Sequence, residues 1–414
     1  GNVIVTYTNS PAVALAVSAT DGSGSGVSRV IFSNNNATWG NHSDYFNPSG
    51  WNLNSYSPGD GAKKVYAKFM DNVNYAQFLK NDRYDVKWGN VIVSNSVILD
   101  TTTPTGSISI SGSGGMAGYT NSKDVTLTVS SLSDPGNLPS GLDPNPVRFS
   151  NDGTNWSEWE NSSNKSWSLS WPLTSVSDGI KTVQMQIKDV AGNVAAYSTN
   201  ITLDSTGPSG TVVINSGAAY SNNTNVTLTL SATDATSNAS QIQMRFSNNT
   251  DWSIWETYGA DKPWTTLSED GNKTVYVQLK DALDNVTTYS SSIILDTIPP
   301  TAAIFGAPTS PTNSTGATLT VGGSDVVTYK YKLDNGNYSG EAPAATQIIL
   351  SLAEGDHIVY VTGKDSAGNW QAGLNASTAA WTVDTTPPAV GINSATTPTN
   401  SSNQTITGIR ESGA

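Results

Sequence analysis

Residues 181–193 read KTVQMQIKDVAGN, and three other stretches of the chain repeat this phrase. The copies are KKVYAKFMDN at 63–72, KTVYVQLKDALDN at 273–285 and HIVYVTGKDSAGN at 357–369. In the quoted phrase Val183, Met185 and Ile187 alternate with polar residues, which is the period of a β-strand that buries one face. An Asp-containing turn follows. The pattern predicts a half-buried antiparallel strand at the same place in four repeated units.

The same landmarks surround every copy, so the repeat is the unit of organisation. A strand ending in Asp precedes the phrase, and a closing strand ending in Asp follows it, joined to the next copy by a proline-bearing linker such as TTTPT or TIPPT. Short strands with Gly- and Pro-rich turns and no helical period predict an all-β sandwich in each repeat. The predicted domains are 1–100 with an insertion at about 74–92, 101–204, 205–296, 297–384, and an incomplete fifth repeat at 385–414. We expect them to form an elongated array.

The composition narrows the classes of function. The chain has 414 residues, no Cys, two His (His42 and His357), 12 Trp and a net charge of −13. Thiol chemistry is excluded and a zinc cluster is disfavoured, because their ligands are missing or scarce. The acidic balance also argues against nucleic acid and anionic membranes as partners, since neither supplies the opposite charge. It fits a surface protein that meets cations.

Membrane-spanning and targeting segments have recognisable sequence patterns. It contains neither a run of about 18 apolar residues nor a charged and then apolar amino terminus, so it predicts no membrane span and no signal peptide. The opening GNVIV matches GTVVI at 210–214, and residues 385–414 stop within a further repeat. We therefore expect the chain to be an excerpt from a longer array.

Two local features depart from the plain repeat. The first repeat carries an insertion with Lys80, Arg83, Lys87 and Trp88 in an otherwise acidic chain. We interpret it as a longer hairpin with a basic edge, with a contact site for a neighbouring subunit as the alternative. The second repeat instead lengthens the loop at 134–146, whose Pro and Gly residues predict irregular structure.

Tryptophans recur at fixed places in the repeats. The run NWSEW is matched by DWSIW one repeat later, and Trp167 is matched by Trp264. A Trp that recurs in a sandwich is expected in the core or sealing an edge, with a sugar-stacking platform as the alternative. Because Trp156 and Trp159 are three residues apart, strict alternation cannot bury both on one face, and one of each pair is expected to be exposed.

Three kinds of motif resemble a known repeat family. They are FSNDGTNWSEW at 149–159, DGIKTVQMQIKDVAGN at 178–193 and the linkers LDTIPP and VDTTPP. Together they resemble the tandem Ig-like repeats of very large bacterial and archaeal secreted and cell-surface proteins, over essentially the whole chain. The resemblance implies an extracellular location and tandem Ig-like Greek-key sandwiches of about seven strands each. It implies no single activity, because such arrays occur in adhesins, surface-layer proteins, filaments and spacers attached to enzymes.

The repeats offer no catalytic arrangement. A Ser-His-Asp relay would need His42 or His357, and His357 occupies the strand position of Lys181 and Lys273, where a solvent-facing side chain is expected. The recurrent Asp residues are landmarks of every repeat, and one active site is not normally copied along an array. We therefore expect a protein that is not an enzyme.

Calcium is the chemistry that the repeated Asp residues favour. In an Ig-like sandwich the turn after the second strand and the turn before the last strand lie at the end nearest the preceding domain. The closing Asp of one domain should therefore approach two turn Asps of the next, and three carboxylates with backbone oxygens suit a hard cation with six to eight ligands. The predicted sets are Asp100, Asp134 and Asp189; Asp204, Asp234 and Asp281; and Asp296, Asp325 and Asp365, with Asn193, Asn285 and Asn369 offering carbonyl oxygens. The alternative is that these Asp side chains cap backbone N–H groups in tight turns, and no cofactor is required in either case.

Asn-x-Ser/Thr triplets mark candidate glycosylation sites of a surface protein. They include Asn36, Asn41, Asn155, Asn161, Asn164, Asn200, Asn222, Asn225, Asn238, Asn272, Asn285, Asn313, Asn337, Asn375 and Asn400. Chance and the polar composition account for most of them, so glycosylation and its absence both stay open.

The leading functional hypothesis is an extracellular structural protein, namely a stalk, surface-layer or filament subunit whose modules add stability nearly independently. Its expected partners are other copies of itself or cell-surface components, with no nucleic acid and no direct membrane insertion. Exposed edge strands, the tail at 385–414 and the insertion in the first repeat are the places where another copy would attach. The alternative is an adhesin or carbohydrate-binding array that uses exposed Trp and Tyr.

Overall fold

The computed structural model describes residues 6–20, 22, 24, 26–41, 43–44, 50–72, 88–392 and 408–409. Strands dominate it, so the all-β prediction is confirmed, and two short 3-10 turns lie at Asn215–Gly217 and Gly373–Asn375. Within these ranges no helix is long and apolar enough to cross a membrane. The predictions made for His42, Lys80, Arg83, Lys87, Asn400 and most of 385–414 lie outside the described residues.

The chain folds into two compact units. Unit 1 consists of Gly1–Pro208, Thr233–Ile242 and Lys280–Thr287, and unit 2 consists of Ser209–Ala232, Gln243–Leu279 and Thr288–Ala414. The third repeat therefore contributes residues to both units.

In unit 1, the first repeat is built from short strands. They are β1 (Thr6–Thr8), β2 (Ala12–Val13), β3 (Val27–Ser33), β4 (Ser43–Asp44), β5 (Trp51–Asn52), β6 (Gly61–Lys63), β7 (Tyr66–Asp71), β8 (Ile92–Val93) and β9 (Val97–Leu99). Their sheets have the orders β1-β9-β6, β2-β5 and β4-β3-β7-β8. The core of this repeat gathers around Phe32, Leu53 and Leu99.

The second repeat, also in unit 1, has two sheets. Its strands are β10 (Thr105–Ser111), β11 (Tyr119–Thr120), β12 (Asp124–Ser133), β13 (Leu142–Ser150), β14 (Asn164–Ser168), β15 (Gly179–Asp189) and β16 (Val194–Leu203). One sheet has the order β10-β12-β14 and the other β11-β16-β15-β13. Leu127 of the first sheet and Phe149 and Met185 of the second share one buried core, so the core lies between the sheets.

The phrase at 181–193 forms β15 and the turn after it, as predicted. Val183, Met185 and Ile187 are each 0% exposed, and the polar residues between them are less buried. The strand pairs with β16 in antiparallel register from Lys188↔Val194 to Gly179↔Leu203. The period of two therefore sets which side chains enter the core.

The third repeat, whose residues belong mostly to unit 2 and partly to unit 1, follows the same plan. Its strands are β17 (Ser209–Ile214), β18 (Tyr220–Ser221), β19 (Asn225–Thr233), β20 (Gln243–Ser247), β21 (Glu256–Thr257), β22 (Asp261–Thr265), β23 (Gly271–Lys280) and β24 (Val286–Leu295). They form sheets of order β17-β19-β22 and β18-β24-β23-β20-β21. Leu228, Phe246 and Val277 are fully buried in the core of this repeat.

The fourth repeat and the start of the tail complete unit 2. The strands are β25 (Thr301–Phe305), β26 (Gly316–Ser324), β27 (Thr328–Leu333), β28 (Ala342–Pro343), β29 (Ile348–Ser351), β30 (Gly355–Lys364), β31 (Ser377–Val383), β32 (Gly391–Ile392) and β33 (Gly408–Ile409). The sheets are β25-β26-β29, β28-β27-β30-β31 and the pair β32-β33. Leu319, Tyr329 and Val361 lie in the core of the fourth repeat.

A short early strand holds the closing Asp of each repeat in place. It pairs in parallel with the last strand, as β1 does with β9, β11 with β16 and β18 with β24, and the fourth repeat has one parallel bridge, Thr312↔Val383. The backbone N–H of each closing Asp donates to this early segment: Asp100 to Thr8 O at 3.0 Å, Asp204 to Thr120 O at 2.9 Å, Asp296 to Ser221 O at 3.0 Å and Asp384 to Thr312 O at 2.9 Å. The backbone at the start of every linker is thereby fixed.

Candidate functional site

Asp100, Asp134 and Asp189 come together at the joint between the first and second repeats. Asp100 follows β9, Asp134 follows β12 and Asp189 ends β15, and one carboxylate oxygen from each lies within 4.8 Å of the others. Asp100 and Asp189 are each 1% exposed, and Asp134 is half-buried. This group, called here the first acidic triad, concentrates negative charge in a place that water reaches poorly.

Backbone amides meet most of the oxygens of the first acidic triad. Ser140 N–H donates to Asp100 Oδ2 at 2.7 Å, and Gly141 N–H donates to Asp134 Oδ2 at 2.7 Å. Asp134 Oδ1, in contrast, is buried without a hydrogen-bond partner. Burial raises the pKa of Asp134, the Gly141 amide opposes this, and the charges of Asp100 and Asp189 raise the pKa further. The negative charge of ionised Asp134 is therefore only partly balanced by hydrogen bonds from the protein.

Asp204, Asp234 and Asp281 form a second acidic triad, which lies within unit 1. Their ligand atoms also lie within 4.8 Å of one another. The Thr236 hydroxyl reaches both Asp204 Oδ2 and Asp234 Oδ1, the latter at 3.1 Å. Burial raises the pKa of Asp281, hydrogen bonds from Asn285 oppose this, and the charge of Asp204 adds to the rise. In the second acidic triad, as in the first, burial and a neighbouring negative charge therefore raise the pKa of one Asp.

The structure does not bring Asp296, Asp325 and Asp365 together. Among the described residues, acidic groups with this spacing form only at the other two joints. Asp325 is exposed, has a left-handed φ of 65°, and accepts a hydrogen bond from Ser324 Oγ at 3.0 Å. The loop explains the difference: β26 ends at Ser324 and β27 begins at Thr328, whereas Asp134 is followed by a much longer loop before Leu142.

An asparagine bridges every one of these joints. Asn193 Nδ2 donates to the closing carbonyl, Asp100 O, at 2.9 Å and to Asp189 Oδ2 at 2.7 Å. The matching bonds run from Asn285 to Asp204 O at 2.9 Å and Asp281 Oδ2 at 2.8 Å, and from Asn369 to Asp296 O at 2.7 Å and Asp365 Oδ2 at 2.9 Å. The amide nitrogen is therefore the group in use, whereas sequence reasoning looked to the carbonyl oxygen. This bridge persists at the joint that lacks an acidic triad.

A second contact, missed by sequence reasoning, grips each linker from the preceding repeat. Asp178 accepts bonds from Ser205 N–H at 3.0 Å, Ser205 Oγ at 2.7 Å and Thr206 Oγ1 at 3.0 Å. Equivalent carboxylates are Asp60 with Thr101 and Thr102, Asp270 with Thr297, and Glu354 with Thr385 and Thr386. We call these the linker clamps.

The sequence does carry a signal for the linker clamps. Each clamp carboxylate is directly followed by a Gly with positive φ. The φ angles are 126° at Gly61, 108° at Gly179, 109° at Gly271 and 124° at Gly355. An acid followed by Gly is typical of a turn, so this pattern does not by itself indicate a contact with the linker. Burial works against ionisation of Asp178, but bonds from Ser205 and Thr206 lower its pKa overall.

The acidic triads have the chemistry of a hard-cation site. Carboxylate oxygens are the ligands that Ca²⁺ takes, and two of the three acids in each triad are almost fully buried. Within the part of the chain that the structure describes, the triad carboxylates take part in no ion pair with Lys or Arg, so a divalent ion would neutralise their charges. The buried and unpartnered Asp134 Oδ1 fits the same role. The first two triads therefore suit calcium, and the third set of residues does not.

The recurrent tryptophans have structural roles. Trp167 is 7% exposed, packs in the core, and its indole N–H donates to Asn151 Oδ1 at 2.7 Å; Trp264 repeats the bond with Asn248 at 2.6 Å. The expectation of a core position is confirmed for Trp167. Little of the Trp167 ring is therefore exposed for a sugar to stack on.

The prediction that one Trp of each pair is exposed is wrong. Trp156 and Trp159 are both half-buried, and the Arg148 guanidinium carbon lies 5.0 and 4.5 Å from their ring centroids. Residues 156–159 are not in a regular strand, so alternation does not apply to them. In unit 2, Arg245 lies 5.1 and 4.4 Å from the ring centroids of Trp252 and Trp255. Arginine thus already occupies faces that a carbohydrate would use.

His357 is not solvent-facing as expected. Its side chain is 12% exposed; Nδ1 lies 2.9 Å from Asp334 Oδ2 and Nε2 lies 3.0 Å from Ala353 O. The hydrogen bonds with Asp334 and with the Ala353 carbonyl raise the pKa of His357. Both ring nitrogens face acceptors, so the imidazolium satisfies them best.

Most candidate glycosylation sites lie on the surface. Asn285 is the exception among the described ones, because it is half-buried and its amide nitrogen makes the bridge. The exposed candidates are Asn36, Asn41, Asn155, Asn161, Asn164, Asn200, Asn222, Asn225, Asn238, Asn272, Asn313, Asn337 and Asn375.

No protein-family model matches the chain, and none of the curated proteins matches it. Solved structures similar to it include the tetra-tandem repeat in the extending region of a large adhesion protein, with 18% identity over 89% of this chain and 94% of that chain, and a TM-score of 0.33. A Ca²⁺-stabilized adhesin that helps an Antarctic bacterium bind ice has 15% identity, with coverage of 86% and 90% and a TM-score of 0.31. A 1.5-MDa bacterial ice-binding adhesin has 14% identity, with coverage of 68% and 98% and a TM-score of 0.37. The likeness is one of tandem β domains, at identities too low to carry a function.

Proposed function

We propose that this chain is an extender segment of an extracellular surface protein, a structural array whose task is to hold its repeats at fixed joints. The observation that carries the proposal is the double grip on the linkers that follow Asp100, Asp204 and Asp296. A carboxylate of one repeat holds the linker hydroxyls, and an asparagine of the next repeat holds the closing carbonyl. Such repeated contacts serve orientation and are unrelated to any one ligand.

Joint orientation is the quantity that tests this role. Small-angle scattering of the chain should give a pair-distance distribution narrow enough for one arrangement across each joint. The triple variant Asn193→Ala, Asn285→Ala and Asn369→Ala should broaden that distribution while leaving the circular dichroism of the strands unchanged. A wild-type chain that already scatters as freely hinged domains would contradict the proposal.

The same proposal includes calcium as a reinforcing ion at the first two joints. Asp100, Asp134 and Asp189 would hold one ion, and Asp204, Asp234 and Asp281 another. An ion bound only by the folded chain raises its stability according to its concentration relative to Kd. Calorimetric titration should give two sites per chain, and removal by chelator should lower the melting temperature. A stoichiometry of zero would remove the ion and leave the double grip intact.

An adhesin that binds carbohydrate through its tryptophans is the alternative. Cation–π contacts from Arg148 and Arg245 weigh against it, because they use the faces of four of these rings. Glycan screening with tryptophan fluorescence separates the two roles. Saturable quenching by one class of sugar would favour the adhesin.

A further inference from the structure

Strand β13 ends its sheet, so its outer edge should offer unpaired backbone groups to another strand. The chain instead turns back along this edge. Val147 exchanges two hydrogen bonds with Glu160, at 3.0 and 2.8 Å, and Ser157 N–H donates to Phe149 O at 2.9 Å. The N–H of Phe149 still needs a partner at this edge. In an extended strand it points to the same side as the carbonyl of the same residue, which accepts from Ser157.

A hydroxyl group fills this last position. Phe149 N–H donates to Ser157 Oγ at 3.0 Å, and the same hydroxyl donates to Glu158 O at 3.1 Å. Because its proton is directed at Glu158 O, a lone pair of Ser157 Oγ faces Phe149 N–H. The side chain takes the place that a carbonyl of an added strand would occupy.

Two repeats in unit 2 have the same serine contacts, on strands whose earlier residues pair with the short strands β21 and β28. At β20, Ser253 N–H donates to Phe246 O at 2.8 Å, Phe246 N–H donates to Ser253 Oγ at 3.0 Å, and this hydroxyl donates to Ile254 O at 3.2 Å. At β27, the corresponding distances between Ser339, Tyr331 and Gly340 are 2.7, 3.1 and 2.8 Å. In sequence these serines directly follow Trp156, Trp252 and Tyr338. The aromatic–Ser pair is therefore a local motif with one geometry.

The first repeat provides a natural comparison, because Gly40 follows Trp39 there. Gly40 N–H donates to Phe32 O at 2.9 Å, as the serines do, but it has no hydroxyl to offer the N–H of Phe32.

We infer that Ser157, Ser253 and Ser339 close the last stretch of β13, β20 and β27 that the returning chain leaves open, beyond the residues that pair with Glu160, β21 and β28, so that a strand of a second copy of this chain cannot pair there. Unpaired edges recruit extended strands, and proteins blunt them with local devices. Here the device is one hydroxyl per repeat. The inference does not depend on calcium or on the extender role.

Amide exchange on the full chain labelled with ¹⁵N-phenylalanine tests the inference. The chain contains 7 Phe, so few resonances need assignment. In the wild type, the amides of Phe149 and Phe246 should exchange about tenfold more slowly than that of Phe32. In Ser157→Ala the amide of Phe149 should exchange about tenfold faster, with Phe246 unchanged as an internal control. Ser157→Thr keeps the hydroxyl and should keep the protection.

Sedimentation velocity then measures whether loss of the serine hydroxyls allows the chain to self-associate. The double variant Ser157→Ala and Ser253→Ala should self-associate at concentrations where the wild type and the Thr variant stay monomeric. Equal protection of Phe32 and Phe149 in the wild type would overturn the inference without any variant. So would faster exchange in a double variant that stays as monomeric as the wild type.

Discussion

Asp134 is the residue at which burial and charge are least well matched. Its Oδ1 atom is buried without a partner, and burial followed by two neighbouring carboxylates raises its pKa. A carboxyl group whose pKa is raised in the folded state adds stability below its ordinary pKa and loses that contribution as pH rises through the raised value. At neutral pH and without a cation, ionised Asp134 therefore destabilises the joint.

Asp134→Asn should have opposite effects with and without calcium. In chelator the neutral amide should raise the free energy of unfolding by about 1 kcal/mol, because it removes a repelled charge and adds a donor. With calcium the variant should lose one of the two bound ions and part of the thermal shift. Differential scanning calorimetry and titration measure both. Asp325→Asn is the matched control, and an equal response there would contradict the assignment of sites.

His357 gives a prediction about pH. Its pKa is raised by the hydrogen bonds to Asp334 and Ala353, so its contribution to stability is complete below the ordinary pKa of His and is lost as pH rises through the raised value. Because the chain has only two His, proton NMR resolves both titrations. Asp334→Asn should return the midpoint of His357 toward about 6.5. An unchanged midpoint would mean that Asp334 does not hold the imidazolium.

At the scale of elements, the linkers combine a constant device with a variable one. The asparagine bridge and the linker clamp occur at the joints that follow Asp100, Asp204 and Asp296. An acidic triad occurs at the first two of these joints. The length of the loop after the second strand decides this difference. At the joint after Asp296 the described contacts are the asparagine bridge and the linker clamp.

Asn369→Ala should loosen the joint at Asp296 in a way that calcium does not repair. The substitution removes bonds to Asp296 O and Asp365 Oδ2, and we expect a loss of about 2 kcal/mol of local stability. Hydrogen exchange of the Thr297 and Ile298 amides should speed up with and without calcium. Asn335→Ala, in an exposed turn, is the control. Restored protection on adding calcium would argue for an ion at this joint after all.

The linker clamps predict a response to acid. Bonds from the linker lower the pKa of Asp178 despite its partial burial, so its contribution is present above the ordinary Asp pKa and is lost as pH falls through the lowered value. Proteolysis of the linker at 205–208 should therefore accelerate below about pH 4. Asp178→Asn should show the acid behaviour already at neutral pH, and a linker equally resistant in both forms would exclude the clamp.

For the whole molecule, repeats with separate cores predict stepwise mechanical unfolding. Each predicted domain of about 100 residues should lengthen the chain by about 30 nm when it unfolds under force. Single-molecule stretching should resolve four such steps, since the chain has no disulfide to shorten them. One large step in place of several would show that the repeats unfold as a single cooperative body.

Much of this architecture follows from the sequence, and the limits have physical causes. Alternation placed Val183, Met185 and Ile187 correctly, since a strand leaves its side chains only two directions. The approach of Asp100 to Asp189 followed from topology. Hydrogen-bond direction did not, because whether Asn193 presents nitrogen or oxygen depends on a carbonyl 93 residues away in the chain. The partner of His357 was hidden for the same reason.

The asparagine bridge restricts when Asn285 can be modified during biosynthesis. Asn285 begins an acceptor triplet, yet its nitrogen is engaged with Asp204 O and Asp281 once the chain has folded. A transferase that needs this nitrogen can reach it only before the two repeats dock. An oligosaccharide found on Asn285 would therefore record modification of the nascent polypeptide, and molecules bearing it would have their second and third repeats uncoupled.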